Sequence, residues 1–387
     1  MNPAVKLLAD LVTIPSVNPM GQPVRPEIHL EHRVTDFLEG QLKSLGVKYQ
    51  RIEVSPGRDN LLAWYEAPRS ETTLLLDAHQ DTVPVETMII EPFEPRIDGG
   101  RMYGRGSCDV KSGVASMFTA FARLVRERPE NSCNVVMAFT VDEEYTHTGS
   151  SALAEMNHGA SLAVVAEPTQ MQLIVSHKGA VRWKIQAHGR ACHSSTPHLG
   201  DNAIYRMGRV LGALSEHACQ LAGSTPDPLL GPPSLSVGRI TGGQSVNVVA
   251  DDCSIEIDRR LIPGEDVTAV IEQAREFLRA KISPNDFSKI SFGQPWVRMP
   301  ALRSDTAQAF LPKLQSLLAG PSGEIPQISG VPYGTDAGPL AQAGLPCVVF
   351  GPGNIAQAHT EDEWIEVDQV IDATDRYFNL LSRWELG

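Results

Sequence analysis

Histidine and carboxylate side chains stand at the end of an apolar run early in the sequence. The segment LLLDAHQDTVPV, residues 74–85, leads from three leucines to His79 and Asp81. Such a run predicts a buried strand, and an unpaired charge at its end is costly to bury. We therefore expect His79 and Asp81 to meet cations, a metal ion or a water-filled cleft, whereas Asp77 inside the run is expected to be structural.

The same residue types recur in four later segments, at predicted strand ends or in glycine-rich loops. These segments supply Asp109 (GRGSCDVKSG), Glu143 and Glu144 (VDEE), Glu167 (AEPT) and His359 (GPGNIAQAHTEDE). Each segment alone is also typical of a turn, a capping pair or a solvated acidic loop. Together, two histidines and several carboxylates form a ligand set that suits zinc or a neighbour such as cobalt or manganese.

Alternating strand and helix patterns must position these residues. Residues 73–79, 134–144 and 161–169 read as strands that end in His79 or in acids, and residues 110–128 read as a helix. This alternation predicts an α/β fold with a mainly parallel central sheet. Functional residues of such sheets lie beyond the carboxyl ends of the strands, which is where these side chains fall.

The pattern changes near residue 179, where half-exposed strands and amphipathic helices begin. Their order is strand-helix-strand-strand-helix-strand, which predicts an inserted, ferredoxin-like α+β domain. We expect residues 1–178 and 296–387 to form the two parts of a catalytic domain around a lid or dimerisation domain at 179–295. A helix is predicted over 305–320, where the α/β pattern resumes.

Composition excludes several partner classes. The 387 residues are 42% hydrophobic and carry a net charge of −13, which argues against nucleic acid or an anionic membrane as a partner. The sequence contains no run of 18 apolar residues, so no membrane span is predicted. The pattern of the first residues predicts a helix rather than an export signal. Six cysteines without a C-x-x-C pair predict a reduced, cytoplasmic protein.

These segments together resemble the dinuclear-zinc amidohydrolases and peptidases, a family that includes acetylornithine deacetylase, succinyl-diaminopimelate desuccinylase and aminoacylase. The resemblance covers nearly the whole chain in the order of the family's motifs. It implies a zinc-peptidase-like catalytic domain, an inserted domain that mediates homodimerisation, and two bound Zn²⁺ ions for which Co²⁺ or Mn²⁺ could substitute.

The resemblance also implies a role for each residue of the set. His79 and Glu167 would hold one zinc, Glu144 and His359 the other, and Asp109 would bridge both. A shared carboxylate keeps two cations ~3.5–4 Å apart, close enough to act on one water. Glu143 would be the general base, and the carboxylate of Asp81 would accept the ring N–H of His79 and so orient it.

Further residues are implied to contact the substrate. His193 in GRACHSSTPH matches a histidine that reaches the active site of the neighbouring subunit, and Arg260 in DRRLIPGE would pair with the substrate's carboxylate. Asn247 in GGQSVNVVAD and Thr335 and Asp336 in YGTDAGPL are further candidates. Without the resemblance, His193 also reads as an ordinary strand-end histidine and Arg260 as a solvent-exposed strand arginine.

The expected reaction is metal-dependent hydrolysis of the amide bond of a small N-acyl amino acid. VVFGPGNIAQAHTEDEW resembles acetylornithine deacetylases, so N-acetylornithine is the leading substrate. The enzyme alternatives are a succinyl-diaminopimelate desuccinylase, from whose serine-containing segment YGTDAG departs, and a carboxypeptidase or dipeptidase. A further alternative is a binding protein that keeps the fold without activity, but such a protein would have lost a metal ligand or the base. Another alternative is a hydrolase that uses Cys108, whose activity would resist chelators.

Overall fold

The computed structural model describes residues 1–386, within which sixteen β-strands and ten α-helices follow one another along the chain. The strands are β1 Lys48–Ser55, β2 Arg58–Tyr65, β3 Thr73–His79, β4 Arg96–Asp98, β5 Arg101–Tyr103, β6 Asn134–Thr140, β7 Leu162–Val165, β8 Leu173–His177, β9 Gly179–His188, β10 Ser234–Gly242, β11 Asp252–Leu261, β12 Ile290–Phe292, β13 Val297–Met299, β14 Ile328–Val331, β15 Cys347–Val349 and β16 Trp364–Glu366. The α-helices are α1 Pro3–Val12, α2 His32–Leu45, α3 Lys111–Glu127, α4 Thr148–Ala154, α5 Ala203–Ala222, α6 Val270–Lys281, α7 Pro284–Phe287, α8 Leu311–Leu317, α9 Ala337–Gln342 and α10 Val367–Ser382.

These elements belong to two compact units. The first comprises Met1–Ser176, Leu302–Gly330 and Thr335–Gly387, and the second comprises His177–Ala301 and Val331–Gly334. The predicted domain limits at 178 and 295, and the lid or dimerisation role of the inserted segment, stay predictions.

An eight-stranded sheet forms the centre of the first unit, in the order β1-β2-β6-β3-β7-β15-β8-β14. Its middle strands are parallel, because β3 pairs in parallel with both β6 and β7, and β7 with β15. The pairings β1–β2, β2–β6 and β8–β15 are antiparallel. The expected α/β class with a mainly parallel central sheet is therefore confirmed.

Buried apolar runs place β3 in the middle of this sheet. Leu74, Leu75 and Leu76 are all fully buried, as expected for a strand covered on both faces. Helix α3 packs against α1 and α10 and buries most of its side chains. Helix α2 ends at Gly46, which adopts the left-handed conformation that favours glycine at a C-terminal cap.

The second unit is built on an antiparallel sheet of β10, β11, β9 and β12, with β13 also paired to β9. Alternate residues of β9 are buried, including Trp183 and Ile185, and they share a core with α5 residues such as Met207 and Val210. The unit contains the predicted order as β9-α5-β10-β11-α6-β12, with the short helix α7 before β12 and the strand β13 after it.

One predicted helix is wrong in extent. Instead of a continuous helix over 305–320, the chain forms a 3₁₀ turn at Gln308–Phe310 followed by α8. Pro312 lies in the first turn of α8. Proline lacks the N–H that a preceding helical turn would need, so it starts a helix here rather than continuing one. Among residues 1–386, no helix has the length and apolarity needed to cross a bilayer.

Candidate metal centre

The polar residues predicted to meet do so at one edge of the central sheet. Strands β3 and β6 run parallel with His79 opposite Thr140, so the segments that follow them leave the sheet on the same side. Glu143 and Glu144 follow β6 closely, and Glu167 lies two residues beyond the end of the parallel strand β7. Parallel pairing therefore gathers side chains that are distant in sequence.

Asp109 joins two groups of potential metal ligands. Its Oδ1 lies 3.2 Å from Nε2 of His79, and Glu167 completes the first group. Its Oδ2 lies 3.3 Å from Nε2 of His359, which is also 3.2 Å from Oε2 of Glu144. Within each group the candidate ligand atoms all lie within 4.8 Å of one another. Asp109 thus presents one carboxylate oxygen to each group.

The chemistry of the two groups fits divalent cations. Oε1 of Glu144 and Oε1 of Glu167 are buried and have no hydrogen-bond partner among the described residues. Burial and the charge of Asp109 raise the pKa of both carboxyls. Buried carboxylates with free oxygens beside imidazole nitrogens are a donor set that two zinc-like cations would complete.

His359 differs from the other candidate ligands in its exposure. Its side chain is 50% exposed, whereas the side chain of Asp109 is 7% exposed, so the centre opens to solvent on the His359 side. Burial opposes protonation of this ring, but Asp109 and Glu144 prevail and raise its pKa to about 11. The backbone of His359 has a positive φ of 60°, an uncommon conformation for a non-glycine residue that often marks functional loops.

Asp81 holds the backbone of Glu143 and Glu144 in place. Its carboxylate accepts the N–H of Glu143 at 3.1 Å, the N–H of Glu144 at 3.2 Å and the side-chain amide of Asn18 at 2.8 Å. Nδ1 of His79 lies 3.0 Å from the main-chain carbonyl of Asp81 and 3.6 Å from its carboxylate. The carbonyl, rather than the expected carboxylate, is therefore the nearer acceptor for this ring.

Arg58 and Glu31 form a buried charged layer behind Asp81. Arg58 donates to Asp142 at 2.7 Å and to Glu31 at 3.0 Å, and it lies 3.9 Å from Asp81. Burial and the charge of Asp81 raise the pKa of Glu31 to about 7. These residues could not be predicted from the sequence, because a charge at the start of a strand or helix has no local pattern that separates it from surface charges.

Glu363 organises the loop that carries Asp109. This fully buried carboxylate accepts the backbone N–H groups of Gly106 at 3.1 Å, Cys108 at 2.9 Å and Asp109 at 3.0 Å. It also pairs with the buried Arg105 at 2.6 Å. Glu363 was not among the residues predicted from the sequence, although it lies four residues beyond His359 in the segment HTEDE.

Cys108 lacks the properties of a nucleophile. The residue is fully buried, and its thiol donates to the carbonyl of Asn354 at 3.4 Å. Burial, with the charges of Glu363 and Asp109, raises the pKa of the thiol well above its usual value. Because the thiolate is the reactive form of cysteine, the alternative of a hydrolase using Cys108 is not supported.

Thr335 and Asp336, predicted to contact the substrate, are both buried. The Thr335 hydroxyl accepts the N–H of Ala337 at 3.1 Å at the start of α9. Oδ2 of Asp336 lies 2.8 Å from the Thr140 hydroxyl, which also lies 3.0 Å from Oδ1 of Asp77. Burial and the charge of Asp336 raise the pKa of Asp77 well above its usual value. Substrate contact by Thr335 and Asp336 stays a prediction.

His193 lies in the second unit and is exposed. Its Nδ1 accepts the backbone N–H of Ser195 at 3.2 Å and lies 2.7 Å from the Ser195 hydroxyl. A neutral imidazole that accepts at Nδ1 carries its hydrogen on Nε2. The Nε2 of His193 is therefore left as a hydrogen-bond donor.

Asn247 and Arg260 also lie in the second unit. The carbonyl of Asn247 accepts the N–H of Ser194 at 3.0 Å, which ties the Asn247 loop to the His193 loop. Arg260 on β11 donates from Nε to Asp258 at 2.7 Å, and its side chain is 27% exposed. An ion pair made through Nε leaves the terminal nitrogens of Arg260 as further donors.

The α/β fold and the paired histidine and carboxylate groups define the class of protein, a hydrolytic metalloenzyme. Residues 75–383 match the family described as Peptidase family M20/M25/M40, and the chain belongs to this family.

Curated relatives match most of the chain. A Peptidase M20 domain-containing protein of Schizosaccharomyces pombe is 30% identical over 90% of this chain and 78% of its own length. The acetylornithine deacetylase of Pasteurella multocida is 31% identical over 96% of both chains. The acetylornithine deacetylase of Myxococcus xanthus is 30% identical over 90% of both chains.

Solved structures share the fold. A tripeptidase from Staphylococcus aureus superposes with a TM-score of 0.78 at 18% identity, covering 100% of this chain and 98% of the other. A dinuclear metal-binding peptidase of the M20 family from Bacillus subtilis gives a TM-score of 0.69 at 16% identity, covering 98% of this chain and 96% of the other. At this identity the likeness extends to the fold alone.

Proposed function

We propose that this protein hydrolyses the amide bond of an N-acyl amino acid at a centre for two metal ions. The observation that carries the proposal is the position of Asp109, whose two carboxylate oxygens face two separate groups of candidate ligands. The free carboxylate oxygens of Glu144 and Glu167 support it, because each lacks a protein partner among the described residues.

The proposed ligands divide between the two ions. His79 and Glu167 would hold one ion, Glu144 and His359 would hold the other, and Asp109 would contribute to both. Two imidazoles and three carboxylates favour Zn²⁺, with Co²⁺ or Mn²⁺ as functional substitutes. The family is metal-dependent, and its member from Bacillus subtilis is a dinuclear metal-binding peptidase, which supports a centre for two ions here.

Glu143 is the proposed general base. When bound, a pair of divalent cations polarises a carbonyl and acidifies water. Glu143 takes the proton of the attacking water and returns it to the amine nitrogen as the C–N bond breaks. Its Oε2 lies 3.9 Å from Nε2 of His79, so the carboxylate faces the metal centre. Glu143 belongs to neither of the two groups of candidate ligands that share Asp109.

Residues of the second unit complete the proposal. Arg260 pairs with the substrate's carboxylate through its terminal nitrogens, and Asn247 provides a further polar contact. His193 donates from Nε2 to the oxyanion, acting across a homodimer formed through the inserted segment. The donor on Nε2 that its contact with Ser195 implies supports this assignment.

Acetyl is the proposed acyl group and ornithine the proposed amine. The relatives from Pasteurella multocida and Myxococcus xanthus, which match this chain over most of its length, are named acetylornithine deacetylases. N-acetylornithine is therefore the substrate that we propose.

A substrate screen with metal-free and zinc- or cobalt-loaded protein tests this function. Acetylornithine, succinyl-diaminopimelate, acetyl-methionine and a dipeptide should be compared at equal concentration. We expect the highest kcat/KM for acetylornithine, and only with added metal. Preference for succinyl-diaminopimelate or the dipeptide would overturn the substrate assignment, and turnover of none by the metal-loaded protein would overturn the proposed function.

A further inference from the structure

A third buried histidine and carboxylate group lies beside the two described above. It consists of Glu143, His147 and Asp336, whose candidate atoms lie within 4.8 Å of one another. The three residues are 8%, 9% and 1% exposed. His147 did not emerge from the sequence, where it stands three residues beyond the two glutamates in EEYTHTG.

Glu143 lies between this histidine and the metal centre. Its Oε1 is 3.7 Å from Nδ1 of His147, and its Oε2 is 3.9 Å from Nε2 of His79. One oxygen thus points to each ring. Because the two oxygens of a carboxylate rotate together, fixing Oε1 also fixes the direction of Oε2.

Asp336 holds the His147 ring in place. Its Oδ1 lies 3.3 Å from Nδ1 of His147, and its Oδ2 is bound by the Thr140 hydroxyl at 2.8 Å. Both neighbours of Nδ1 are carboxylates, so Nδ1 carries the hydrogen. The backbone of His147 is also fixed, since its N–H donates to the carbonyl of Asp142 at 2.7 Å.

We propose that His147, held by Asp336, is a positioning residue that orients the carboxylate of Glu143 toward the metal centre. The proposal rests on the proposed role of Glu143 as base. It gives Asp336 a task different from the substrate contact predicted from the sequence. A cation in this third group is the competing interpretation, and it requires more than two metal ions per chain.

A double-mutant cycle between Glu143→Ala and His147→Ala tests the proposal. A misdirected catalytic group costs up to ~10²-fold in rate, so we expect His147→Ala to lower kcat by ~10–10²-fold. KM should change by less than about twofold, because positioning a base does not alter substrate binding. His147→Gln retains an N–H donor and should recover part of kcat, whereas the control His158→Ala should match wild type.

The double-mutant cycle shows whether His147 acts through Glu143 or independently of it. In the Glu143→Ala background, His147→Ala should have no further effect, because the group that it orients is already missing. Full additivity, or an unchanged kcat in His147→Ala, would overturn the proposal. Three metal ions per chain in the wild type, falling to two in His147→Ala, would establish the competing metal site instead.

NMR of the histidine rings provides a test that needs no substrate. It distinguishes a failure of the proposed His147–Glu143 pairing from a failure of the assignment of Glu143 as base. In zinc-loaded protein labelled at histidine, His147 should show hydrogen on Nδ1, and its N–H resonance should move in Glu143→Ala and in Asp336→Asn. A resonance unaffected by both changes contradicts the pairing. A shifted resonance with full kcat in Glu143→Ala would show that the pairing exists and that Glu143 is not the base.

Discussion

Two adjacent glutamates after β6 face different neighbours. Oε2 of Glu144 lies 3.2 Å from Nε2 of His359, and its Oε1 has no partner among the described residues. Glu143 instead points one oxygen to His79 and the other to His147. Both glutamates lie in the turn that follows β6, and their side chains face different neighbours, which would allow one to bind a metal ion while the other transfers a proton.

Replacing each glutamate by alanine should therefore produce different defects. Glu143→Ala should retain two metal ions per chain and lower kcat by ~10²–10⁴-fold, because a general base is lost. Glu144→Ala should lose or weaken one metal ion, because a ligand is lost. Metal analysis and kcat on the same samples check this, and equal metal loss in both variants would refute the division of roles.

At the scale of elements, the carboxyl ends of the parallel strands could be predicted from the sequence. Apolar runs that end in His79, Glu144 or Glu167 define both a strand and its functional end, because parallel strands finish at one edge. Glu363 and Arg58 could not be predicted, because their partners lie far away in sequence. Glu363 bonds to Asp109 across 254 residues, a contact that exists only in the folded chain.

The loop before α3 should depend on Glu363. Glu363→Gln would place an amide N–H against backbone N–H groups or against Arg105, so the loop that carries Asp109 should loosen. Residues that support metal ligands typically affect metal affinity by ~10–100-fold. We expect a loss of this size in zinc affinity by competition with a chelator. The exposed Glu361→Gln is the matched control, and wild-type affinity in folded Glu363→Gln would contradict the expectation.

Helices α5 and α7 of the second unit should be coupled through an acid-sensitive ion pair. Asp286 binds Arg209 through both oxygens at 2.7 Å, and this contact outweighs burial and lowers the pKa of Asp286 to about 2. A pKa below the ordinary 3.8 gives stability that is present above about pH 4 and is lost as the pH falls toward 2. Because Arg209 is half exposed, we expect this ion pair to contribute about 1–2 kcal/mol to the free energy of unfolding.

Urea unfolding of wild type and Asp286→Asn at several pH values measures this contribution. The difference in the free energy of unfolding should be largest near pH 7 and should shrink between about pH 4 and pH 2. A difference that stays constant over this range would show that the loss arises from packing rather than from the charge of Asp286.

At the scale of the whole molecule, the proposed reaction uses residues from both units. The first unit supplies the candidate metal ligands and Glu143, and the second supplies His193, Asn247 and Arg260. The net charge of −13 is compatible with a small substrate, and bound divalent cations would reduce it. Action of His193 across a dimer is the part of this proposal that depends most on assembly.

Mixed dimers test whether His193 acts across subunits. His193→Ala and Glu143→Ala should each be nearly inactive alone, since a preorganised donor contributes ~10²–10³-fold in kcat. When the two are unfolded and refolded together, one active site of each mixed dimer would contain both groups, and activity should return. A mixture in which hetero-dimers form but remain inactive would show that His193 does not act in trans.

The shared position of Asp109 is tested most directly by counting zinc ions bound to metal-free protein after equilibrium dialysis. We expect two ions per chain for the wild type, one for His359→Ala, which removes a ligand of one group, and a marked loss at both sites for Asp109→Ala. Asp286 is a buried aspartate outside these groups, so the variant Asp286→Asn serves as the control and should bind two zinc ions. A wild type that binds one ion or none, or an Asp109→Ala protein that still binds two with unchanged affinity, would contradict the two-metal centre.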